Sequence, residues 1–130
     1  MDEVYGFLKA CKTYYLATVE GDRPRVRPFG TIDKFNGKLY IQTGRKKSVS
    51  QQIHANPKIE ICAFDGGRWL RVAATAVSED NIEAERHLLA AYPELAGMYQ
   101  PGDGNNEVFR LDNVTATFSS FTEPPRVVTF

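Results

Sequence analysis

Three consecutive basic residues follow the end of a predicted strand and precede a predicted helix. They lie in the segment Thr43 to Ser48, which reads TGRKKS. A helix start offers free N–H groups and the positive end of the helix dipole, while threonine and lysine side chains can donate directly to an anion. A phosphate suits such a segment, although the glycine spacing and ending of a Walker loop are absent. A solvated basic helix start and a nucleic-acid patch remain the alternative interpretations.

A second basic pattern is the alternation of Arg23, Arg25 and Arg27. Because side chains alternate along a strand, all three lie on one face of it. One interpretation is a solvated outer face, since arginine is mostly exposed. The other is a contact with an anion or a ring edge, because guanidinium presents several donors in a rigid fork. The only tryptophan, Trp69, begins a predicted strand and suits either a core position or an interface or ring-stacking role.

Other polar residues do not form a pattern typical of side-chain catalysis. The only histidines, His54 and His87, are predicted to lie in separate helices without a flanking nucleophile motif, so hydrolase chemistry is not expected. Neither histidine belongs to a cluster with metal-ligand spacing, and we predict no metal site. Glu83, Glu85 and Glu94 are predicted to lie on helix surfaces. We therefore name no catalytic residue.

The composition indicates a soluble globular protein. Of the 130 residues, 42% are apolar and 25% are charged, and 16 basic residues offset 16 acidic ones. With a net charge of zero, no overall field attracts nucleic acid or an anionic membrane. The acidic N-terminus is unlike a signal peptide and no apolar run is long enough to span a bilayer, so we expect a cytoplasmic location. Cys11 and Cys62 are expected to be reduced, buried thiols.

The hydrophobic pattern predicts one domain, residues 1–130, built mainly from strands. The signals include the turn Asn36-Gly37 and a helix begun by the capping residue Ser48. The predicted helices are 4–11, 48–55 and 81–92. The six predicted strands are 13–19, 25–35, 38–43, 58–64, 68–78 and 108–121. A chain this short with tight turns favours a closed or nearly closed antiparallel barrel. The tail 124–130 is compatible with an edge strand or with disorder.

Taken in order, these features resemble the pyridoxamine 5′-phosphate oxidase-like family of FMN-binding split barrels, which includes nitroimidazole-resistance flavoproteins. The stretch 27–61, RPFGTIDKFNGKLYIQTGRKKSVSQQIHANPKIEI, carries most of the resemblance. In it an arginine begins the second strand, an Asn-Gly hairpin follows, the third strand ends in threonine, a lysine comes shortly after, and a helix closes with Asn-Pro before the next strand. The resemblance implies a mainly β, six-stranded antiparallel split barrel of the FMN-binding type.

The resemblance also implies roles for particular residues around FMN. The residues expected to line the isoalloxazine ring are Arg27, Pro28, Phe29 and Gly30. Those expected beside the ribityl chain and phosphate are Gln42 and Thr43. Lys47 is expected to pair with the phosphate, with Arg45, Lys46 and Ser48 as further candidates. The residues that reach the flavin of the partner subunit are expected to be Arg68 and Trp69, so the site would require a homodimer.

The implied activity is electron transfer from NAD(P)H through FMN to an unidentified small molecule. Two alternatives stay open: a non-catalytic flavin-binding or sensing module, and another ligand such as haem or a deazaflavin in the same fold. The chain is shorter than a pyridoxamine 5′-phosphate oxidase and lacks the C-terminal arginine and histidine that hold the pyridoxal substrate there. Oxidase activity on that substrate is therefore not expected.

Overall fold

The computed structural model describes all residues 1–130 and contains eight strands, three α-helices and one 3-10 turn. The chain begins with a helix and two strands that form a hairpin, and it ends with a long strand and a short one. In chain order the elements are α1 Asp2–Cys11, β1 Tyr14–Glu20, β2 Arg23–Phe29, β3 Asp33–Phe35, β4 Lys38–Gly44, α2 Ser48–Ala55, β5 Lys58–Phe64, β6 Arg68–Ser78, α3 Ile82–Ala91, the 3-10 turn Pro93–Leu95, β7 Asn106–Ser120 and β8 Arg126–Thr129.

All strands belong to one antiparallel sheet with the order β2-β1-β5-β6-β7-β4-β3, and β8 pairs with β7. The long strand β7 pairs with β4 through residues 106–111 and with β8 through residues 115–118. This architecture confirms the predicted fold class, a mainly β antiparallel split barrel. The barrel places the C-terminal end of β4 beside the start of β7.

The prediction of six strands was too low by two. The stretch 25–35, predicted as one strand, is divided at Gly30 because its first part pairs with β1 and its last part pairs with β4. A change of pairing partner is a property of the whole sheet and leaves no local signal in the sequence. The undecided tail supplies the other strand, β8, which covers an edge of β7.

The main core is a cluster of 22 buried residues enclosed by the sheet, α1 and α2. Alternation along β1 and β5 turns every second side chain inward, as in Leu16 and Ile61. Helix α2 contributes Val49 and Ile53 to this core. Helix α3 instead packs through a separate cluster of four buried residues, Tyr40, Ala84, Leu88 and Val108. The two helices thus flank the end of β4.

Three local predictions were wrong. Cys62 is exposed on the outer face of β5 and Cys11 is only half-buried, because strand alternation and the position near the end of α1 keep both thiols from the core. Ser48 does not cap α2, since the N-cap position belongs to Lys47 and no side chain bonds there. Glu85 is buried, and it accepts hydrogen bonds from Gly102 N and Asn106 Nδ2.

The outer face of the sheet carries several exposed apolar side chains. Tyr15, Val26 and Phe64 are more than half exposed. Trp69 is half-buried against the 81% exposed Phe121, with ring centroids 5.0 Å apart. Exposed apolar side chains grouped in this way are typical of an interaction surface. None of the helices has the length and apolar character needed to cross a bilayer.

Candidate functional site

A cavity of about 260 Å³ lies where the end of β2, the end of β4 and the start of α2 meet the segment that follows α3. Its lining residues are Pro28, Phe29, Gly30, Thr31, Gln42, Thr43, Lys47, Tyr92, Glu94, Leu95, Met98 and Tyr99. Half of the twelve residues predicted to surround a cofactor are therefore brought together here, although they come from three separate elements. These six are Pro28, Phe29, Gly30, Gln42, Thr43 and Lys47.

Two polar groups on the cavity wall have no partner within the protein. Thr43 is 4% exposed, yet its hydroxyl makes no hydrogen bond, and the Lys47 ammonium makes neither a hydrogen bond nor an ion pair. Since no fully buried side-chain oxygen lacks a partner, the Thr43 hydroxyl is open to the cavity. The first two N–H groups of α2, at Ser48 and Val49, have no backbone acceptor either, and they lie next to Lys47 but outside the residues that line the cavity. An anion such as a phosphate suits this set of donors.

The neighbouring Gln42 is held in place by the protein. Its Nε2 donates to Asn106 Oδ1 at 2.8 Å and to the Thr43 carbonyl at 3.3 Å. The Thr31 hydroxyl bridges to the backbone of Gln42, accepting from its N–H at 3.3 Å. These bonds fix the end of β4 and so fix the direction in which Thr43 faces.

Arg45 differs from Lys47 because its charge is already compensated. Its guanidinium donates to Glu107 Oε2 at 2.9 Å, and the Glu107 side chain is fully buried. The same carboxylate accepts from Ser50, from Ser78 at 2.7 Å and lies 2.7 Å from His54 Nε2. Burial alone raises the pKa of the Glu107 carboxyl, but the hydrogen bonds from these three side chains and the Arg45 charge together lower the pKa below its ordinary value.

The backbone of the basic triplet is held by the residue before β7. The Arg45 N–H donates to the Asn105 carbonyl at 2.7 Å, and the Lys46 N–H donates to Asn105 Oδ1 at 3.2 Å. The side chains of Lys46 and Ser48 are exposed and do not line the cavity. Lys47 is therefore the member of the triplet that reaches the cavity.

Arg27 lies outside the cavity in this structure. Its guanidinium donates to Thr18 Oγ1 at 2.7 Å and to Gln52 Oε1 at 2.6 Å, which joins β2 to α2. Burial, followed by the nearby charge of Arg25, lowers the pKa of Arg27. The predicted contact of Arg27 with a ligand ring remains a prediction. The other two arginines of the alternation, Arg23 and Arg25, are exposed.

Arg68 and Trp69 lie in another part of the chain, at the start of β6. Arg68 lines a second cavity of about 510 Å³ between α1 and the turn after β5. Trp69 belongs to the apolar outer face described above. A single chain does not bring these two residues to the first cavity, so their predicted contribution to a partner's site remains a prediction.

Sequence reasoning missed the wall that follows α3. Tyr92, Leu95, Met98 and Tyr99 line the cavity from this side. Tyr92 is fixed there, since its hydroxyl donates to the Ile32 carbonyl at 3.0 Å and accepts from the Ile32 N–H at 2.9 Å. The signal available in the sequence was the apolar and aromatic run YPELAGMY at 92–99. This run follows α3, which ends before Pro93.

The sequence and the fold of this chain are both similar to those of known proteins. A sequence model described as pyridoxamine 5′-phosphate oxidase matches residues 1–119. A solved structure of a NimC/NimA family protein from Clostridium acetobutylicum is 37% identical to this chain, with a TM-score of 0.95 over 100% of this chain and 92% of that protein. No curated protein matches the sequence.

Two more distant structures share the fold. An F420 reductase is 20% identical, with a TM-score of 0.63, and the similarity covers 88% of this chain and 94% of that one. HutZ, a haem storage protein from Vibrio cholerae, is 18% identical, with a TM-score of 0.65, over 85% of this chain and 87% of that one.

Proposed function

The chain belongs to the pyridoxamine 5′-phosphate oxidase family, and we propose that it is a flavoprotein that binds FMN in the cavity at the end of β4. Members of this family bind flavin or related ligands. The observation that carries the proposal is the pairing of an open hydroxyl on Thr43 with an uncompensated ammonium on Lys47, beside the start of α2. A phosphate would satisfy these donors together.

The remaining wall suits the apolar part of the same ligand. Pro28, Phe29 and Gly30 offer a mostly apolar surface, and Leu95 and Met98 line the same cavity from the segment after α3. Binding pockets are usually apolar with a few well-placed polar groups, as here. When bound, FMN supplies hydride and electron transfer, while the protein binds and orients it. The residues named here need only hold the phosphate and expose one ring face.

A second copy of the chain is part of this proposal. The cavity, at about 260 Å³, is smaller than the roughly 300–1,000 Å³ usual for ligand pockets, so one chain encloses only part of a flavin. The exposed apolar side chains of the outer face, such as Tyr15, Val26 and Phe64, offer a surface for a homodimer. Arg68 and Trp69 would then complete the site of the partner. Light scattering tests this directly, since a flavin-bound chain of 14.6 kDa would contradict the shared site.

As an activity, we propose electron transfer from NAD(P)H to an unidentified small molecule. Turnover of nitroaromatics, quinones or free flavins with NAD(P)H as donor tests it. If the bound flavin is not reduced by NAD(P)H and reoxidised by any of these acceptors, the non-catalytic flavin-binding module becomes the better function. The cytoplasmic location predicted from the sequence remains part of the proposal.

Haem and a deazaflavin are the competing ligands, because HutZ and the F420 reductase share the fold. Haem iron requires an axial ligand, often histidine. In this chain His54 is bonded to Glu107 and His87 to Asp33 at 2.6 Å, and neither lines the cavity. This arrangement favours a flavin over haem.

The decisive experiment is the absorption spectrum of the freshly purified protein, followed by identification of the chromophore released on denaturation. Paired flavin bands and released FMN are the expected result. A Soret band or a deazaflavin spectrum would replace FMN with the corresponding ligand. A colourless protein that also takes up no added FMN would overturn the proposal.

A further inference from the structure

The Tyr99 hydroxyl is a third polar group on the cavity wall without a partner. Tyr99 is 8% exposed, and it lines the cavity with Thr43 and Lys47. Its hydroxyl makes no hydrogen bond to the protein, and because no fully buried side-chain oxygen lacks a partner, this oxygen opens into the cavity. Tyrosine hydroxyls on largely buried side chains normally find a hydrogen-bond partner within the protein, and the Tyr99 hydroxyl does not.

The other well-buried tyrosines of this chain follow the rule. The Tyr14 hydroxyl donates to the Thr31 carbonyl at 2.5 Å, and the Tyr40 hydroxyl donates to Glu79 Oε2 at 2.6 Å. Neither of these residues lines the cavity. The unpartnered hydroxyl is therefore a local feature of the cavity wall, where a bound ligand can supply the acceptor.

The position of the hydroxyl is set by Gly44. A Cβ atom at Gly44 would lie 3.0 Å from the Tyr99 hydroxyl oxygen and 3.2 Å from Tyr99 Cε1. The ring therefore lies close against the backbone between Thr43 and the basic triplet, where a Cβ atom at position 44 would crowd it. This contact brings the phenol to the same turn that carries the open groups of Thr43 and Lys47.

From this arrangement we propose that Tyr99 is a phosphate-binding residue that donates its O–H to the FMN phosphate, together with Thr43 and Lys47. The inference rests on the proposed function and adds to it a ligand contact from the segment after α3. A phenol O–H is a good donor to an anionic oxygen, and a dianionic phosphate accepts several such bonds. The site then distinguishes FMN from flavins without a phosphate.

The test is Tyr99→Phe, which removes the hydroxyl and keeps the ring. FMN and riboflavin are titrated into apoprotein while flavin fluorescence is followed. Loss of a hydrogen bond to a charged group should weaken FMN binding by roughly 10- to 100-fold, while riboflavin binding changes less than twofold. Tyr5→Phe is the matched control, because Tyr5 lies on α1 outside this cavity and its hydroxyl also has no partner.

A second variant, at Gly44, changes the position of the Tyr99 ring instead of removing its hydroxyl. Gly44→Ala should push the Tyr99 ring away from the turn and produce the same selective loss of FMN affinity. Thermal unfolding of each variant checks that the fold is kept. Equal FMN affinity of Tyr99→Phe and the wild type, or an equal loss of FMN and riboflavin affinity, would overturn the inference while leaving the proposed function intact. A wild-type protein that binds neither flavin would overturn both.

Discussion

Two polar regions lie side by side on the paired strands β4 and β7: the network around Glu107 and the cavity wall at Thr43. They differ in how many of their polar groups have a hydrogen-bond partner within the protein. In the Glu107 network, formed by Glu107, Arg45, His54, Ser50 and Ser78, each side chain bonds to the central carboxylate. Thr43, which pairs directly with Glu107 in the sheet, leaves its hydroxyl open to the cavity. Proximity in the fold therefore does not decide whether a polar group is structural or ligand-binding.

The two cations Arg45 and Lys47 show the same difference only two residues apart. Arg45 compensates a buried carboxylate that would otherwise be costly to desolvate. Lys47 has no acid partner and faces the cavity. Arg45 therefore has a structural partner that explains its position, whereas the charge of Lys47 remains available to the proposed phosphate.

The largest expected effect comes from removing the centre of the network. Glu107→Ala should lower the free energy of unfolding by about 3 kcal/mol, because it leaves a cavity and deprives two serine hydroxyls and Arg45 of their acceptor. Urea denaturation measures the change. Glu60→Ala, at an exposed position of β5, is the control and should stay within about 0.5 kcal/mol of wild type. A loss below about 1 kcal/mol for Glu107→Ala would show that the network contributes little to stability.

The second largest effect is expected on FMN binding, when the ammonium of Lys47 is removed. Lys47→Ala should weaken FMN binding by about 1.5–3 kcal/mol, the range for a charge-assisted hydrogen bond, and leave stability nearly unchanged. Calorimetric titration of apoprotein with FMN measures this loss. Lys58→Ala, at the exposed first position of β5, should bind FMN as wild type does. Unchanged affinity of Lys47→Ala would show that Lys47 does not anchor the phosphate.

A pair of hydroxyl deletions compares the two regions directly. Ser50→Ala should lower the free energy of unfolding by about 1.5 kcal/mol, because it removes one hydrogen bond to the Glu107 carboxylate. Thr43→Val should leave unfolding within about 0.5 kcal/mol of wild type but weaken FMN binding by about 1.5 kcal/mol. If both variants changed stability and FMN binding alike, the distinction between the hydrogen-bonded Glu107 network and the unpartnered cavity wall at Thr43 would be wrong.

The smallest effect is the pH dependence of the network. Since the native pKa of Glu107 is lowered, its contribution to stability is complete above the unfolded value of about 4.3 and is lost as the pH falls through the native pKa. The Glu107→Gln variant lacks this titration. Its free energy of unfolding should therefore decline less steeply than that of wild type below pH about 4. Parallel curves for the two proteins would contradict the lowered pKa.

Sequence patterns located most of the secondary structure and half of the candidate site. The Asn36-Gly37 turn and the strand 58–64 depend on local signals, and both formed as predicted. Such patterns did not indicate the bonds of Arg27 to Thr18 and Gln52, or the network around Glu107, because what these residues contact depends on which elements pack together. Tyr99 was missed for this reason as well, since its partners on the cavity wall lie more than fifty residues earlier in the chain.

The sequence by itself determined the antiparallel β class, the family, and the presence of a threonine and a lysine at a strand end followed by a helix, because these depend on residue type and short-range spacing. Only the tertiary structure decided that Arg45 is neutralised while Lys47 stays open, and that Tyr99 meets the turn at Gly44. Hydrogen-bond satisfaction and desolvation depend on every neighbour of a group, and the fold alone brings those neighbours together.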